Sequence, residues 1–250
     1  MKESTERCAV ITGSSSGIGQ AVARRLAAAG MRICVHYLSS ESGARATLES
    51  LPGNGHILRR ADASDAEQMH NMVLGAAEEF GRLDVLVNNA GIFEPTPFNA
   101  DWDEWKAGWK RTLDVNLMSA VHCTHAAVQI MRVQRCGKVI NVASRSAFRA
   151  ETDAPAYAVS KAGMVNLTRC LARAEAQNGI LSYCIAPGWV ETAMARDGMA
   201  SMASDILSQI PLGRIATCED VAGVAEFLVS PAADYLTGIT IDVNGGSYLH

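Results

Sequence analysis

The sequence predicts an α/β fold, a doubly wound parallel sheet of about seven strands in a single domain spanning residues 1–250. Three observations lead there. Short apolar runs alternate with longer helical stretches along the chain, the pattern of repeated βαβ units. Many of those runs are apolar at consecutive positions, as strands covered on both faces require. A chain of 250 residues, 48% hydrophobic and 19% charged, suffices for one domain with a two-sided sheet.

The first strand is Cys8–Thr12, and a helix follows over Gly17–Ala29. The second strand is Arg32–Tyr37, and the third, His56–Arg60, is set off by the turn Pro52-Gly53. A helix over Asp65–Phe80 leads into strand four, Asp84–Asn88. The Pro95–Pro97 loop precedes one long helix, Trp102–Val133. Strand five is Lys138–Ala143, and the helix Ala156–Gln177 connects it to strand six, Ile180–Ala186. Pro187-Gly188 ends that strand. Asp205–Pro211 reads as a further short helix, and Ile239–Val243 as the last strand before Gly245-Gly246. No linker, repeat or low-complexity tract interrupts the alternation.

Bulk properties exclude several classes of function. The net charge is −4 with no basic block, which argues against nucleic acid or an anionic membrane as partner. No apolar stretch reaches membrane-spanning length, and the opening MKESTER lacks the apolar core of a signal peptide. The seven cysteines are Cys8, Cys34, Cys123, Cys136, Cys170, Cys184 and Cys218. None forms C-x-x-C and several lie in apolar runs, so reduced thiols and a cytoplasmic location are expected. His122 and His125 lie three apart on a helix, but no further ligand completes a set, and no metal is expected. Trp102, Trp105 and Trp109 recur at helical spacing and read as core or subunit-interface packing. Met194, Met199 and Met202 fall in a segment, 187–212, that reads as a mobile substrate lid.

The stretch after strand one, TGSSSGIG, is the first with chemistry in it. Its glycines, Gly13, Gly17 and Gly19, do not follow G-x-G-x-x-G, yet they sit between a strand and a helix. Backbone N–H groups at a helix N-terminus attract a pyrophosphate, and glycines let it come close. Ser14, Ser15 and Ser16 add hydroxyls, and Ile18 lies between the last two glycines. A flexible serine-glycine turn is the alternative. Farther on, Tyr157 and Lys161 stand at i and i+4, on one helix face. A lysine cation roughly 4 Å from the phenol, at an effective dielectric near 20, favours the phenolate by about 4 kcal/mol. That would bring a tyrosine from about 10 to near 7, where it can give a proton to a carbonyl oxygen or take one from an alcohol. Ser144 closes strand five, where ligands bind in open parallel sheets.

The chain resembles the short-chain dehydrogenase/reductase family. The spacing T-G-x-x-x-G-x-G, Asn88-Asn89-Ala90-Gly91 after strand four, Asn116 in Asp114-Val115-Asn116, Ser144, Tyr157-x-x-x-Lys161, Pro187-Gly188-x-x-x-Thr192 and the closing Gly238 with Asp242–Gly246 occur in family order. The resemblance implies a Rossmann-type fold and an NAD(P)(H)-dependent oxidoreductase interconverting a ketone and a secondary alcohol. It implies Tyr157 as general acid/base, Ser144 holding the substrate oxygen, Lys161 on the nicotinamide ribose, and Asn116 anchoring a water. Asp62, Ala63, Asn89, Ala90 and Gly91 would line the adenosine side. Pro187, Gly188, Val190 and Thr192 would cover the carboxamide. A homotetramer is likewise implied. The nearest broad resemblance is to 3-oxoacyl-carrier-protein reductases, so 3-oxoacyl-thioester reduction is one expectation. The basic residues Arg132, Arg135 and Lys138 would give at best a partial docking patch for an acidic carrier. A non-catalytic NAD(P)-binding sensor on the same fold is the alternative, though binding alone needs no proton donor.

Two further expectations concern charge. NAD sites place an acid at the end of strand two; here Tyr37 takes that place, with Ser39 and Ser40 beyond it. NADP(H) is therefore favoured over NAD(H), with the hydroxyls of Ser14, Ser39 and Ser40 as candidate phosphate partners. Arg145 and Arg149, just after Ser144, read as surface ion pairs or as contacts to an anionic substrate.

Overall fold

The structure, a computed structural model, describes residues 6–192 and 204–249. Its seven strands are β1 (Cys8–Ile11), β2 (Arg32–Tyr37), β3 (Ile57–Arg60), β4 (Val85–Asn88), β5 (Gly137–Val142), β6 (Ile180–Pro187) and β7 (Thr240–Val243). They form one sheet in the order β3-β2-β1-β4-β5-β6-β7, every pairing parallel. The helices are α1 (Gly17–Ala28), α2 (Glu41–Glu49), α3 (Ala66–Phe80), α4 (Trp102–Leu113), α5 (Ser119–Gln134), α6 (Pro155–Glu175) and α7 (Cys218–Val229). This is the doubly wound Rossmann-type sheet that the strand–helix alternation predicts.

Strand β1 shows why the runs are apolar throughout. All four of its side chains are buried. Successive side chains of a strand point to opposite faces. Ala9 and Ile11 pack with α1 and α7 residues such as Val22, Leu26 and Leu228. Cys8 and Val10 pack on the other face with Met69 and Val73 of α3 and Met131 of α5. Each fully buried Leu, Ile or Met contributes roughly 1.5–3 kcal/mol, so a polar residue at any β1 position would be felt by one core or the other.

Local signals fix the element ends. Asp65 caps α3 by accepting from the Gln68 N–H at 3.0 Å, and Gly81, at φ 77°, closes it in the left-handed region. Thr217 and Asp220 form a reciprocal capping box at the start of α7. Pro155 opens α6, where a missing N–H costs nothing.

The long helix expected over Trp102–Val133 is not one α-helix. A π-helical turn, Asp114–Met118, separates α4 from α5. Residues 204–208 are helical, within the short helix expected at Asp205–Pro211. The expected lid segment includes residues 193–203 and thus Met194, Met199 and Met202, which lie outside the described residues. The seven cysteines are free thiols. Cys8, Cys34, Cys123 and Cys184 are buried, and burial pushes the Cys34 and Cys123 thiols up to about 12.

Candidate active site

The sheet order places β1 beside β4, so the loops leaving those two strands meet at their C-terminal ends. The Thr12 hydroxyl joins them, accepting from the N–H groups of Asn89 and Ala90, each at 2.9 Å. Asn89 answers by donating from Nδ2 to the carbonyls of Thr12 and Gly13 at 3.0 and 3.1 Å. Gly13 holds φ 63°. A Cβ at Gly19 would stand 2.4 Å from the Gly13 carbonyl and 2.5 Å from Asn89 Nδ2, so only glycine fits. Ser16 sits at the N-cap of α1 without a side-chain cap, leaving the first-turn N–H groups at Gly17, Ile18 and Gly19 uncapped by it. Those N–H groups, in a cradle that a side chain would fill, suit the pyrophosphate of a dinucleotide.

The remaining loops close around that cradle. Tyr37 ends β2 buried, while Ser39 and Ser40 lie exposed just beyond. The Ser15 carbonyl lies 2.8 Å from where a Gly43 Cβ would stand, so α2 packs directly on the loop. Asp62 follows β3 and is occupied by Ser64, whose N–H and hydroxyl donate to Oδ1 at 2.8 and 2.7 Å; Ala63 beside it is buried. Pro187 ends β6, the Gly188 N–H donates to the Val243 carbonyl, and Val190 bridges to Ala216. The Thr192 methyl lies 3.4 Å from the Cβ position of Gly17, bringing this segment onto the glycine loop.

The four expected catalytic residues converge beside it. Asn116 is fully buried in the π turn, a common device at functional sites. Its Oδ1 accepts from the Ile92 N–H at 2.8 Å, and Nδ2 donates to the Ile92 carbonyl at 2.9 Å and to Ser160 Oγ at 3.2 Å. This fastens the π turn to the chain just past Gly91. Gly91 is where Lys161 approaches, its Nζ 3.5 Å from the glycine's Cβ position. Lys161, 4% exposed, donates to the Val142 carbonyl at 2.9 Å. Ser144 follows β5 and neighbours the Tyr157 phenol. Phe93 packs edge-on against the Tyr157 ring, with centroids 5.1 Å apart.

The electrostatics differ from the expected depression of the Tyr157 phenol to near 7. Part of the tyrosine's surface reaches solvent, yet the protein packed around it pushes the phenol above its ordinary 10; Ser144 opposes the shift and Glu151 adds to it. Burial brings the Lys161 ammonium down to about 8. The lysine does not spend its proton on the phenol alone. Its Nζ is 5.7 Å from the Tyr157 ring centre and is drawn to the Val142 carbonyl.

Two other expectations are corrected. The Ser14 hydroxyl is not free for a phosphate: fully buried, it donates to the Ile11 carbonyl at 2.7 Å and accepts from the His36 N–H at 2.9 Å. Arg145 is not a surface residue. It is 6% exposed, donates to Ser247 Oγ at 2.8 Å and lies over the Trp189 ring. Arg149 reaches Gln209 instead.

His36 is a site residue that sequence reasoning missed. The Gly13 N–H donates to its Nδ1 at 3.0 Å, so Nδ1 carries no proton and Nε2–H must donate to the Ala61 carbonyl, also at 3.0 Å. The neutral ring thus ties the glycine loop to β2 and β3, and burial holds its pKa below 6.5. A histidine inside a buried strand was its only signal. Arg60 was missed as well: its Nε donates to the Leu38 carbonyl at 3.1 Å, placing a guanidinium at the end of β2. His125 meets His70 at 3.2 Å, and His122 lines a shallow groove with Glu67 and His70. No group of three metal-ligating side chains occurs among the described residues.

Comparison with known proteins agrees with this geometry. Residues 13–248 match the family profile described as enoyl-(acyl carrier protein) reductase. The 3-oxoacyl-[acyl-carrier-protein] reductase of Synechocystis is 35% identical over 246 residues, covering 97% of each chain. The enzyme of that name from Salmonella typhimurium is 34% identical over 243 residues, 97% of this chain and 98% of that one. A solved structure from Sinorhizobium meliloti, provisionally described as a short-chain alcohol dehydrogenase, superposes with a TM-score of 0.89 at 36% identity. It covers 98% of this chain and 97% of its own. With this fold, these loops and relatives matched along nearly the whole length, the chain belongs to the short-chain dehydrogenase/reductase family of oxidoreductases.

Proposed function

We propose that the chain is an NADP(H)-dependent reductase of a ketone to a secondary alcohol, with a 3-oxoacyl thioester as substrate class. The observation that carries this is the gathering of Tyr157, Ser144, Lys161 and Asn116 beside a loop that only glycine permits at position 19. The nicotinamide, when bound, supplies the hydride. Tyr157, kept neutral by its surroundings, is the group that can give a proton to the substrate oxygen. Lys161, a buried donor at the mouth of the Gly91 turn, would hold the ribose. Asn116 keeps the Ile92 backbone, and with it that turn, in place.

NADP(H) is supported by the absent acid after β2 and by Arg60, whose guanidinium borders an open groove with Leu38, Asp62 and Gln68. The thioester class comes from the named activity of the relatives. Carrier-protein docking has less support: Arg132 is paired with Glu175 and Lys138 with Asp234, while Arg135 meets the Gln177 carbonyl. A cytoplasmic location fits the free thiols.

The test is NADPH oxidation with a panel of diketones and 3-oxoacyl thioesters, comparing the wild type with Tyr157→Phe. Turnover is expected to fall at least about a hundredfold, with cofactor affinity retained. Near-normal turnover in the variant removes Tyr157 from its role. Tight cofactor binding without turnover on any carbonyl would favour a sensor.

A further inference from the structure

Arg145 is a cation folded into the protein with no anion to meet it. It follows Ser144 directly, in the 3-10 turn Arg145–Ala147 after β5, and is 6% exposed. Its Nη1 donates to Ser247 Oγ at 2.8 Å, and its guanidinium lies 5.7 Å from the centre of the Trp189 ring. Both partners are neutral. Among the described residues Arg145 makes no ion pair, whereas Arg132 and Lys138 each have one. Two charged groups bear on it. Arg149 repels it and reaches Gln209 instead, and Glu151 attracts it but is held by the Ser146 hydroxyl at 2.7 Å. Burial, with Arg149 adding to it, pulls the guanidinium below its ordinary value.

Buried charges are paired as a rule, because an isolated one loses its hydration and gains nothing in return. A guanidinium also carries several N–H donors in a fork that matches a carboxylate, and Ser247 occupies only the Nη1 end of it here. The indole N–H of Trp189 is buried and likewise has no acceptor among the described residues. The position of these donors is set from two sides. Arg145 adjoins Ser144, and Ser247 Oγ lies 3.4 Å from the Cβ position of Gly188. The guanidinium is therefore held between the Ser144 turn and the Gly188-Trp189 segment, beyond the C-terminal ends of β5 and β6, where ligands bind in open parallel sheets.

We propose that Arg145 is a specificity-determining residue, which takes a carboxylate carried on the acyl chain of the carbonyl substrate, with the Trp189 indole packed beside it. The proposal rests on the reductase reading of Ser144 and Tyr157, since those two fix where the ketone sits. A carboxylate on the acyl chain is the fitting anion. The phosphate of a thioester's carrier arm is many bonds from the ketone, whereas Arg145 is the residue next to Ser144. A forked pair with a carboxylate would restore the charge balance that the fold leaves open.

The experiment measures binding to the full-length protein loaded with NADP+, where no hydride is available and the ketone stays intact. The probes are N-acetylcysteamine thioesters of 3-oxo acids whose chains end in a carboxylate, over a series of chain lengths, each against its terminal methyl ester. Calorimetry on the wild type should show one or more of the acids bound at least about tenfold more tightly than its ester, the size of one charge-assisted pair. Arg145→Met should abolish that preference, and Arg145→Lys, which keeps the charge without the fork, should recover part of it. With NADPH the same preference should appear in KM and not in kcat. Equal affinity for acid and ester at every chain length overturns the proposal, and this arm needs no variant to fold. So does an equal loss for acid and ester in Arg145→Met, because the arginine then acts only by holding Ser247 and Trp189. Turnover of both probes with equal binding removes the carboxylate role and leaves the reductase. Acid-selective binding without turnover of either removes the reductase and keeps the carboxylate site.

Discussion

Gly19 and Arg60 mark the two ends of the cleft that would hold a dinucleotide, and they work in opposite ways. Gly19 acts by lacking a side chain, since any Cβ would enter the space of the Gly13 carbonyl. Arg60 acts by extending one, bringing positive charge to the carbonyl of Leu38 where an acid would otherwise mark NAD. Arg60→Ala is expected to weaken NADPH about tenfold, or about 1.4 kcal/mol, and to leave NADH nearly unchanged. Calorimetry on both cofactors checks this; an equal loss for the two would show that Arg60 does not meet the 2′-phosphate. At this scale the sequence was legible where spacing carries the chemistry. Tyr157 and Lys161 sit four apart on a helix, and Ser144 follows directly on the end of a strand. Arg60 and His36 were not legible, because each acts on a neighbouring strand's loop and no local pattern records which strands adjoin.

Strand β2 does more than present Tyr37 at its end. Through His36 it holds the glycine loop, and that grip requires an uncharged ring. Burial lowers the folded-state pKa of His36 from 6.5. Below about 6.5 the unfolded chain therefore takes up a proton that the folded chain refuses. This contribution to stability is complete above that pH and is lost as pH falls toward the folded value. Denaturant midpoints measured from pH 7.5 to 5 should decline in the wild type and decline less in His36→Asn. Parallel curves would remove the ring from the account. The strands were readable to within a residue or two because burial on both faces leaves little but apolar choices, as in Val85–Asn88. The division between α4 and α5 was not readable. Helical periodicity runs through Asp114–Met118, and a π turn changes the backbone ladder without altering residue type.

Over the whole molecule, the aromatic ladder on α4 is unevenly covered. Trp102 stacks on Trp105 at 5.6 Å, and Trp105 meets Trp109 at 5.3 Å. Trp102 is 64% exposed, and Phe98, whose ring meets Trp105, is 77% exposed. Apolar surface of that kind suits a subunit contact, and we propose a homotetramer with two-fold interfaces. Light scattering at micromolar concentration should give the mass of four chains, and Trp102→Glu should reduce it. A single-chain mass for the wild type would refute the assembly. The π turn bears on that geometry too. Each helical residue advances the side chain by about 100°. The wider turn at Asp114–Met118 takes up one residue more than an α turn between the tryptophan face of α4 and the buried Cys123, Ala127 and Met131 face of α5. Deleting one residue there would close the wide turn into an ordinary ladder and carry Asn116 away from the Ile92 backbone that it grips. This stretch therefore tolerates a change of residue more readily than a change of length.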